Sequence, residues 1–310
     1  QRYAVRRAFP SEWVAAGSLR RGDWVAVPKR VELPQTPLSQ EQLWAIGFWL
    51  AEGHYIRNPK RDMVGLGITN KNSERLRKWA TIMRKWFPED WTLVGQGSTR
   101  HPKHRRSFSV LDHRIRGAKR EIYELRFKSR PAAEFFLTNF GNGSGKKKLS
   151  SEIYQTSGLL PLVAGFIDGD GTQRWNADRD VGLCTTSQSL VEQLRQILLD
   201  SGIWCTLQRC KRDVPHRTLY SLNIRSSYSH KILGCKVKPH TQRLRRVVIE
   251  EETAFFVPVK SVQESHYSGP VYNLEVAEDH SYVADGIAVH NCDDRVMAYL
   301  CTLEAYFRAG

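Results

Sequence analysis

An internal duplication constrains this chain more than any other feature. WAIGFWLAEGHY at 44–55 is answered by PLVAGFIDGDGTQ at 161–173, and VGLGITNKNSERL at 64–76 by VGLCTTSQSLVEQL at 181–194. The offset barely drifts: Asp170 lies 118 residues after Glu52, and Thr186 lies 117 after Thr69. Each copy opens on an apolar, helix-like run and passes through short strand-like stretches. A helical period follows, set by Leu76, Trp79, Ile82 and Met83 in the first copy and by Leu190, Leu194, Ile197 and Leu198 in the second. Alternation around Tyr123–Phe127 and Tyr220–Ile224 marks a second strand pair in each. An α+β fold of two pseudo-symmetric halves fits this order.

Punctuation and charge divide the chain further. Proline-rich VELPQTPLS at 31–39 sets off an opening segment, and GNGSGKKKLS at 141–150 separates the halves. The chain carries 47 Lys and Arg against 32 Asp and Glu, a net charge of +15, but the excess is local. Between Leu33 and Ile249, 37 basic residues face 18 acidic ones; from Ile249 to Asn291 one basic residue faces eight acidic ones. A solvated, highly charged surface is the plainer explanation. A swing from +19 to −7 between neighbouring segments nevertheless points to a polyanionic partner, nucleic acid first.

No run of eighteen apolar residues occurs, and QRYAVRRAFP lacks an apolar signal-peptide core, so a soluble, intracellular (cytoplasmic) protein with no membrane contact is expected. The six cysteines, Cys184, Cys205, Cys210, Cys235, Cys292 and Cys301, form no CxxC pair and no Cys/His grouping at zinc-ligand spacing. Neither disulfides nor structural zinc are expected.

Chemistry concentrates where the repeats match best. Gly47 and Ala51 lie four apart on one helix face, as do Gly165 and Gly169, so two such helices can approach with almost no side chain between them. At their ends stand Glu52 and Asp170, each followed by a glycine, Gly53 or Gly171, expected to close its helix in the left-handed conformation. Two converging carboxylates suit a hard cation, Mg²⁺ or Mn²⁺, which polarises a phosphodiester and activates water. DGDG alone could be a calcium-loop fragment or a tight turn; the repeat argues against both.

AIGFWLAEG (45–53) and VAGFIDGDG (163–171) resemble the paired motifs of the LAGLIDADG (DOD-type) homing endonucleases, over residues 40–248. The resemblance implies two αββαββα repeats, 40–150 and 158–248, whose sheets form a basic saddle over double-stranded DNA, with Glu52 and Asp170 binding metal. Glu52 stands where the family usually has aspartate. The family also places a lysine late in each half, where it can stabilise charge on phosphate. Lys147 in GKKKLS takes that place in the first half, in a register shared with Lys146 and Lys148; Lys236 in GCKVKP takes it in the second, with Lys238 as the alternative. Strands in the major groove read bases through alternating Arg, Lys, Asn and Gln, for which Arg57, Arg105, Arg126, Gln173, Arg209 and Arg225 are candidates. With both motifs in one chain, a monomer can supply both carboxylates.

A second constellation ends the chain. From Gly269 it reads GPVYNLEVAEDHSYVADGIAVHNC, with strand patterns around Val271–Val276 and Ile287–Val289 and a turn at Asp285-Gly286. An asparagine amide can attack its own carbonyl and cut the chain after Asn291 if a neighbour, His290, protonates the leaving amine. Cys292 can accept an upstream acyl group. VYNLEV, His280 and VADGIAVHNC resemble the C-terminal splicing motifs of inteins, with His280, His290, Asn291 and Cys292 at corresponding places; Asn273 stands where many inteins have aspartate. EWVAAGSLRRGDWVAVPKR (12–30) resembles the last part of an intein's N-terminal splicing segment. The resemblances imply an all-β Hint splicing domain around the nuclease: 1–33 its N-terminal part, 249–291 its C-terminal part, and 292–310 host protein, whose DDRVMAYL loosely resembles the last acidic motif of phage terminase nucleases. No initiating Cys or Ser with a Thr-x-x-His precedes Trp13, so splicing is expected to need a missing N-terminal segment. Competing readings are a splicing element with a decayed, DNA-binding nuclease, an RNA maturase of the same fold, and an autoprocessing domain outside inteins.

Overall fold

The computed structural model describes residues 13–30, 32–58, 63–88, 92–94, 111–112, 122–173, 181–213, 216–232, 248–266, 268–270, 276, 281–284 and 286–290. The chain divides into two units, residues 1–29 with 243–310, and residues 30–242.

It opens with a 3₁₀ turn, Ala16–Ser18, and strand β1 (Trp24–Pro28). The larger unit then runs α1 (Gln40–Glu52), β2 (Gly53–Asn58), β3 (Met63–Asn70), α2 (Ser73–Trp86), β4 (Thr92–Val94), β5 (Leu111–Asp112), β6 (Tyr123–Lys128), α3 (Arg130–Phe140) and the short α4 (Ser151–Tyr154). Its second half follows as α5 (Leu160–Asp170), β7 (Thr172–Gln173), β8 (Val181–Thr185), α6 (Gln188–Asp200), β9 (Cys205–Cys210), β10 (Leu219–Ile224) and the short α7 (Ser226–Ser229). Strands β11 (Ile249–Glu250), β12 (Ala254–Pro258), β13 (Ser281–Ala284) and β14 (Ile287–His290) belong to the smaller unit.

The duplication shows in the sheets. The first half orders its strands β2-β3-β6-β4, with β5 also against β6; the second orders them β7-β8-β10-β9, and every pairing is antiparallel. Helices and small antiparallel sheets thus alternate as the repeat implies. Local signals start the helices: Ser39 and Gln42 form a capping box on α1, Asn72 accepts from the backbone of Glu74 and Arg75 at α2, and Ser187 accepts from Leu190 at α6. Amphipathic α2 and α6 bury one stripe each, Leu76, Trp79, Ile82 and Met83 in one, Leu190, Leu194, Ile197 and Leu198 in the other. By contrast α1 is buried from Leu43 to Leu50 and α5 from Pro161 to Ile167, so both lie at the centre of the core.

The stretch leading into α1 is stapled to the end of α6 and to the segment just before α5. Arg30 donates through its backbone N and Nε to the two Asp200 oxygens, both at 2.7 Å, and its guanidinium lies 4.0 Å over the Tyr154 ring. Ser157 N donates to Pro34 O at 2.8 Å.

In the smaller unit β12 lies between β1 and β11, and β13 and β14 form a hairpin with Ser281 opposite His290. Gly286 turns that hairpin at φ +80, a conformation that favours glycine. Among the described residues no helix is long and apolar enough to cross a membrane.

Candidate functional site

The site is built by the crossing of α1 and α5. A Cβ on Gly47 would sit 1.8 Å from the Leu162 carbonyl oxygen, and one on Gly165 would sit 2.0 Å from that of Trp44, so the helices meet backbone to backbone. One turn further, a Cβ on Gly169 would come within 2.5 Å of the Ala51 methyl. With no side-chain ridge holding them apart, the helices bring their last residues, Glu52 and Asp170, together. Burial, and then the neighbouring Asp170 charge, push the Glu52 carboxyl up to about 7; burial also pushes Asp170 up. Asn70 Nδ2 braces both helix ends, donating to Glu52 Oε1 and to Gly169 O, each at 3.2 Å.

Gly53 and Gly171 depart from expectation. Both are extended, at φ −86 and −72, not left-handed. The chain leaves each helix straight into a strand, folding over its own last turn. A Cβ on Gly53 would lie 2.2 Å from Trp49 Cδ1, and one on Gly171 2.4 Å from Ile167 O. Space, not backbone handedness, requires glycine there.

Of the three consecutive lysines, Lys147 is buried while Lys146 and Lys148 are exposed. Lys147 Nζ donates to the carbonyls of Trp49 (3.2 Å), Leu50 (2.8 Å) and Gly53 (2.8 Å) and lies 4.8 Å from the Trp49 ring centroid. Three acceptors match the three ammonium N–H groups, so Lys147 caps the negative end of α1. Burial lowers its pKa to about 8, against the raising effect of Glu52. Asp168, two residues before the end of α5, accepts from Trp44 Nε1 at 2.8 Å and pairs with Arg75 Nη2 at 2.7 Å. Sequence reasoning missed Asn70, Arg75 and Asp168. Only Asn70 left a trace: its repeat equivalent, Ser187, is also polar and donates to the Lys147 carbonyl.

The pairing registers separate the faces of each sheet. In the first, Tyr55, Leu66 and Phe127 face the helices, while His54, Thr69, Glu124 and Arg126 take the opposite face. The Arg126 guanidinium grips Glu124 with two hydrogen bonds, at 3.0 and 2.9 Å. Arg57 and Arg209 take the other register. Arg57 pairs with Val64 in the phase of Tyr55, and Arg209 pairs with Tyr220 in the phase of Leu222, so both fall on the helix-facing register, exposed at their strands' ends. In the second sheet Thr206, Gln208, Ser221 and Asn223 take the open face. Arg225 is half-buried as the N-cap of α7. Gln173 pairs with Val181 in β7, and its side chain lies outside the described residues, as do Arg105, Lys236, Lys238, His280, Asn291 and Cys292. His290 ends β14, exposed, its ring 5.2 Å from that of Trp13.

The donor set fits a divalent cation. Among the described residues no third His, Cys, Asp or Glu joins Glu52 and Asp170 in a metal-ligating group. Two hard carboxylates, with other positions left to water and phosphate oxygens, suit Mg²⁺ or Mn²⁺, and a dication would relieve their repulsion. The pKa of Glu52 in the fold lies above its ordinary 4.5, so the folded chain holds the proton more tightly and loses stability as pH rises from 4.5 to about 7. Mg²⁺ should therefore raise the melting temperature more at about pH 8 than at about pH 5, and Glu52→Gln should flatten that difference. Scanning calorimetry checks this; an equal Mg²⁺ effect at both pH values would refute the pairing.

Residues 159–234 match the family model described as a LAGLIDADG-like domain. The chain is 27% identical over 269 residues to the ATP-dependent DNA helicase Hel308 of Thermococcus kodakarensis, covering 82% of this chain and 22% of the helicase. It is 27% identical over 294 residues to an iron–sulfur cluster assembly SufBD family protein of Mycobacterium tuberculosis, covering 93% of this chain and 31% of that protein. The chain thus spans between a fifth and a third of the length of these two relatives. Among solved structures, the homing endonuclease I-DmoI in complex with DNA and Mn aligns with a TM-score of 0.42 at 16% identity, over 63% of this chain and 97% of that one. The half built on the second crossing helix, residues 159–234, is thus similar to LAGLIDADG-like domains.

Proposed function

We propose that the larger unit is a site-specific endonuclease that cuts both strands of duplex DNA with Mg²⁺ or Mn²⁺, and that it is carried inside a protein-splicing element to which the smaller unit belongs. The meeting of Glu52 and Asp170 at the ends of two helices in backbone contact carries this reading. The relatives support its mobile character. Segments similar to this chain make up a minor share of a helicase and of an iron–sulfur assembly protein, whose names have no activity in common, which is the pattern of an insertion and not of a domain serving either host.

Glu52 and Asp170 would hold the cation, which when bound supplies Lewis-acid polarisation of the scissile phosphate and an acidified water. Asn70 orients the Glu52 carboxylate, and Lys147 keeps the end of α1 in place while offsetting the Glu52 charge. The polar open faces of the two sheets would take the groove, and phosphate contacts would make log affinity fall with log salt at about −0.9 per neutralised phosphate. The reading is tested by incubating the full chain with a randomised duplex library in Mg²⁺ and sequencing the ends produced. Double-strand ends recurring at one sequence support it; retarded but uncut DNA would leave a binding protein only.

In the splicing element the Asn291 side-chain nitrogen attacks the Asn291 carbonyl carbon. The peptide bond to Cys292 breaks, His290 gives its proton to the departing amine, and a succinimide remains. His280 assists, and Cys292 is the acyl acceptor. Asn291→Ala should stop release of residues 292–310, read by mass spectrometry; release at the parent rate would remove asparagine cyclisation from the account.

A further inference from the structure

Both crossing helices end in a carboxylate where the helix dipole is already negative, an arrangement that is costly unless a cation answers it. On α1 that cation is Lys147. On α5, groups from the first repeat converge just ahead of Asp170. Arg75 donates from Nη1 to the Asp168 carbonyl and pairs through Nη2 with Asp168 Oδ1 at 2.7 Å. Trp44 Nε1 donates to the other Asp168 oxygen at 2.8 Å, and Asn70 Nδ2 to the Gly169 carbonyl at 3.2 Å. The 118-residue offset makes Leu50 the repeat equivalent of Asp168, and Leu50 is a buried apolar residue, so α1 has no matching ion pair. Arg75 is also out of place in its own helix. It is the third residue after the cap Asn72, where the dipole is positive and Glu or Gln is favoured. Its position is explained by what it reaches on α5.

We propose that Arg75, held by Asp168, is a positioning residue for Asp170: from the first repeat it fixes the last turn of α5 and so sets the carboxylate of the second. The proposal rests on the nuclease reading above. It makes the site a joint product of both repeats, so neither repeat alone would aim Asp170.

The test is Mn²⁺ affinity of the full chain, followed by electron paramagnetic resonance below the melting temperature, with melting recorded on the same samples. Arg75→Ala should weaken Mn²⁺ binding about five- to tenfold, the effect of removing a partly buried helix-end cation. Arg75→Lys, which keeps the charge but loses the fork, should recover part of it. Parent-like Mn²⁺ affinity in Arg75→Ala, even with lowered melting, would overturn the proposal and leave only a tie between repeats. If Arg75→Ala does not fold, the isosteric Asp168→Asn decides: weakened Mn²⁺ binding supports the role, and unchanged binding overturns it. A parent chain that binds no Mn²⁺ would sink the nuclease reading, and the proposal with it.

Discussion

Asp170→Asn should lose double-strand DNA cleavage by at least about 10³-fold under single-turnover conditions, equivalent to about 4 kcal/mol of transition-state stabilisation. The substitution keeps the size of the side chain and removes one of two charges facing the cation. Binding to duplex DNA without metal should hold, because one uncharged residue at the end of α5 leaves the sheets untouched. The loss should appear in the rate constant and not in the DNA concentration needed for saturation. Burial raises Glu52 most and the Asp170 charge adds to it; the same change removes that charge, so the Glu52 carboxyl should titrate lower in the variant. A variant that cuts like the parent would show that Asp170 is merely the last residue of a core helix.

The second large effect is on the fold. Gly165→Ala adds one methyl, yet that carbon would stand 2.0 Å from the Trp44 carbonyl oxygen and 3.0 Å from Phe48 N, both backbone atoms of the buried stretch of α1. No rotamer change can relieve a clash with backbone, so α1 and α5 must move apart. Overpacking of a well-filled core typically costs 1–3 kcal/mol, and here at least about 3 kcal/mol is expected, since the whole crossing shifts. Gly17→Ala, with nothing within 4 Å, is the control and should stay within about 0.5 kcal/mol of the parent. Urea unfolding of the full chain checks both. Cleavage should fall with Gly165→Ala even where the protein remains folded, because separated helices no longer bring Glu52 and Asp170 together.

What the sequence disclosed and what it hid follow from how far apart the interacting residues lie. The helix crossing was legible because a small residue every four positions, repeated at a fixed offset, is a local pattern: Gly47 and Ala51, then Gly165 and Gly169. The stripes of α2 and α6 and the alternation of β6 and β10 were legible for the same reason. The open faces of the sheets were not. Residue type alone makes Arg57 and Arg209 candidates, but which face a strand residue takes depends on the partner strand's register, and Val64 and Tyr220 put both in the helix-side register. Gly53 and Gly171 look like helix-closing glycines in sequence; the Trp49 indole and the Ile167 carbonyl that crowd them are a matter of where the next strand goes. Asp168 meets Trp44 across 124 residues and Arg75 across 93, with no local pattern to announce either contact. Three adjacent lysines cannot be told apart until burial selects Lys147.

The most direct test of the central claim is anomalous scattering from Mn²⁺ in crystals of the full chain bound to the duplex recovered from the cleavage library. The account predicts an anomalous peak coordinated by both the Glu52 and Asp170 carboxylates, lost in Asp170→Asn. Manganese bound elsewhere on the chain, with these two carboxylates free of metal beside the DNA backbone, would contradict it.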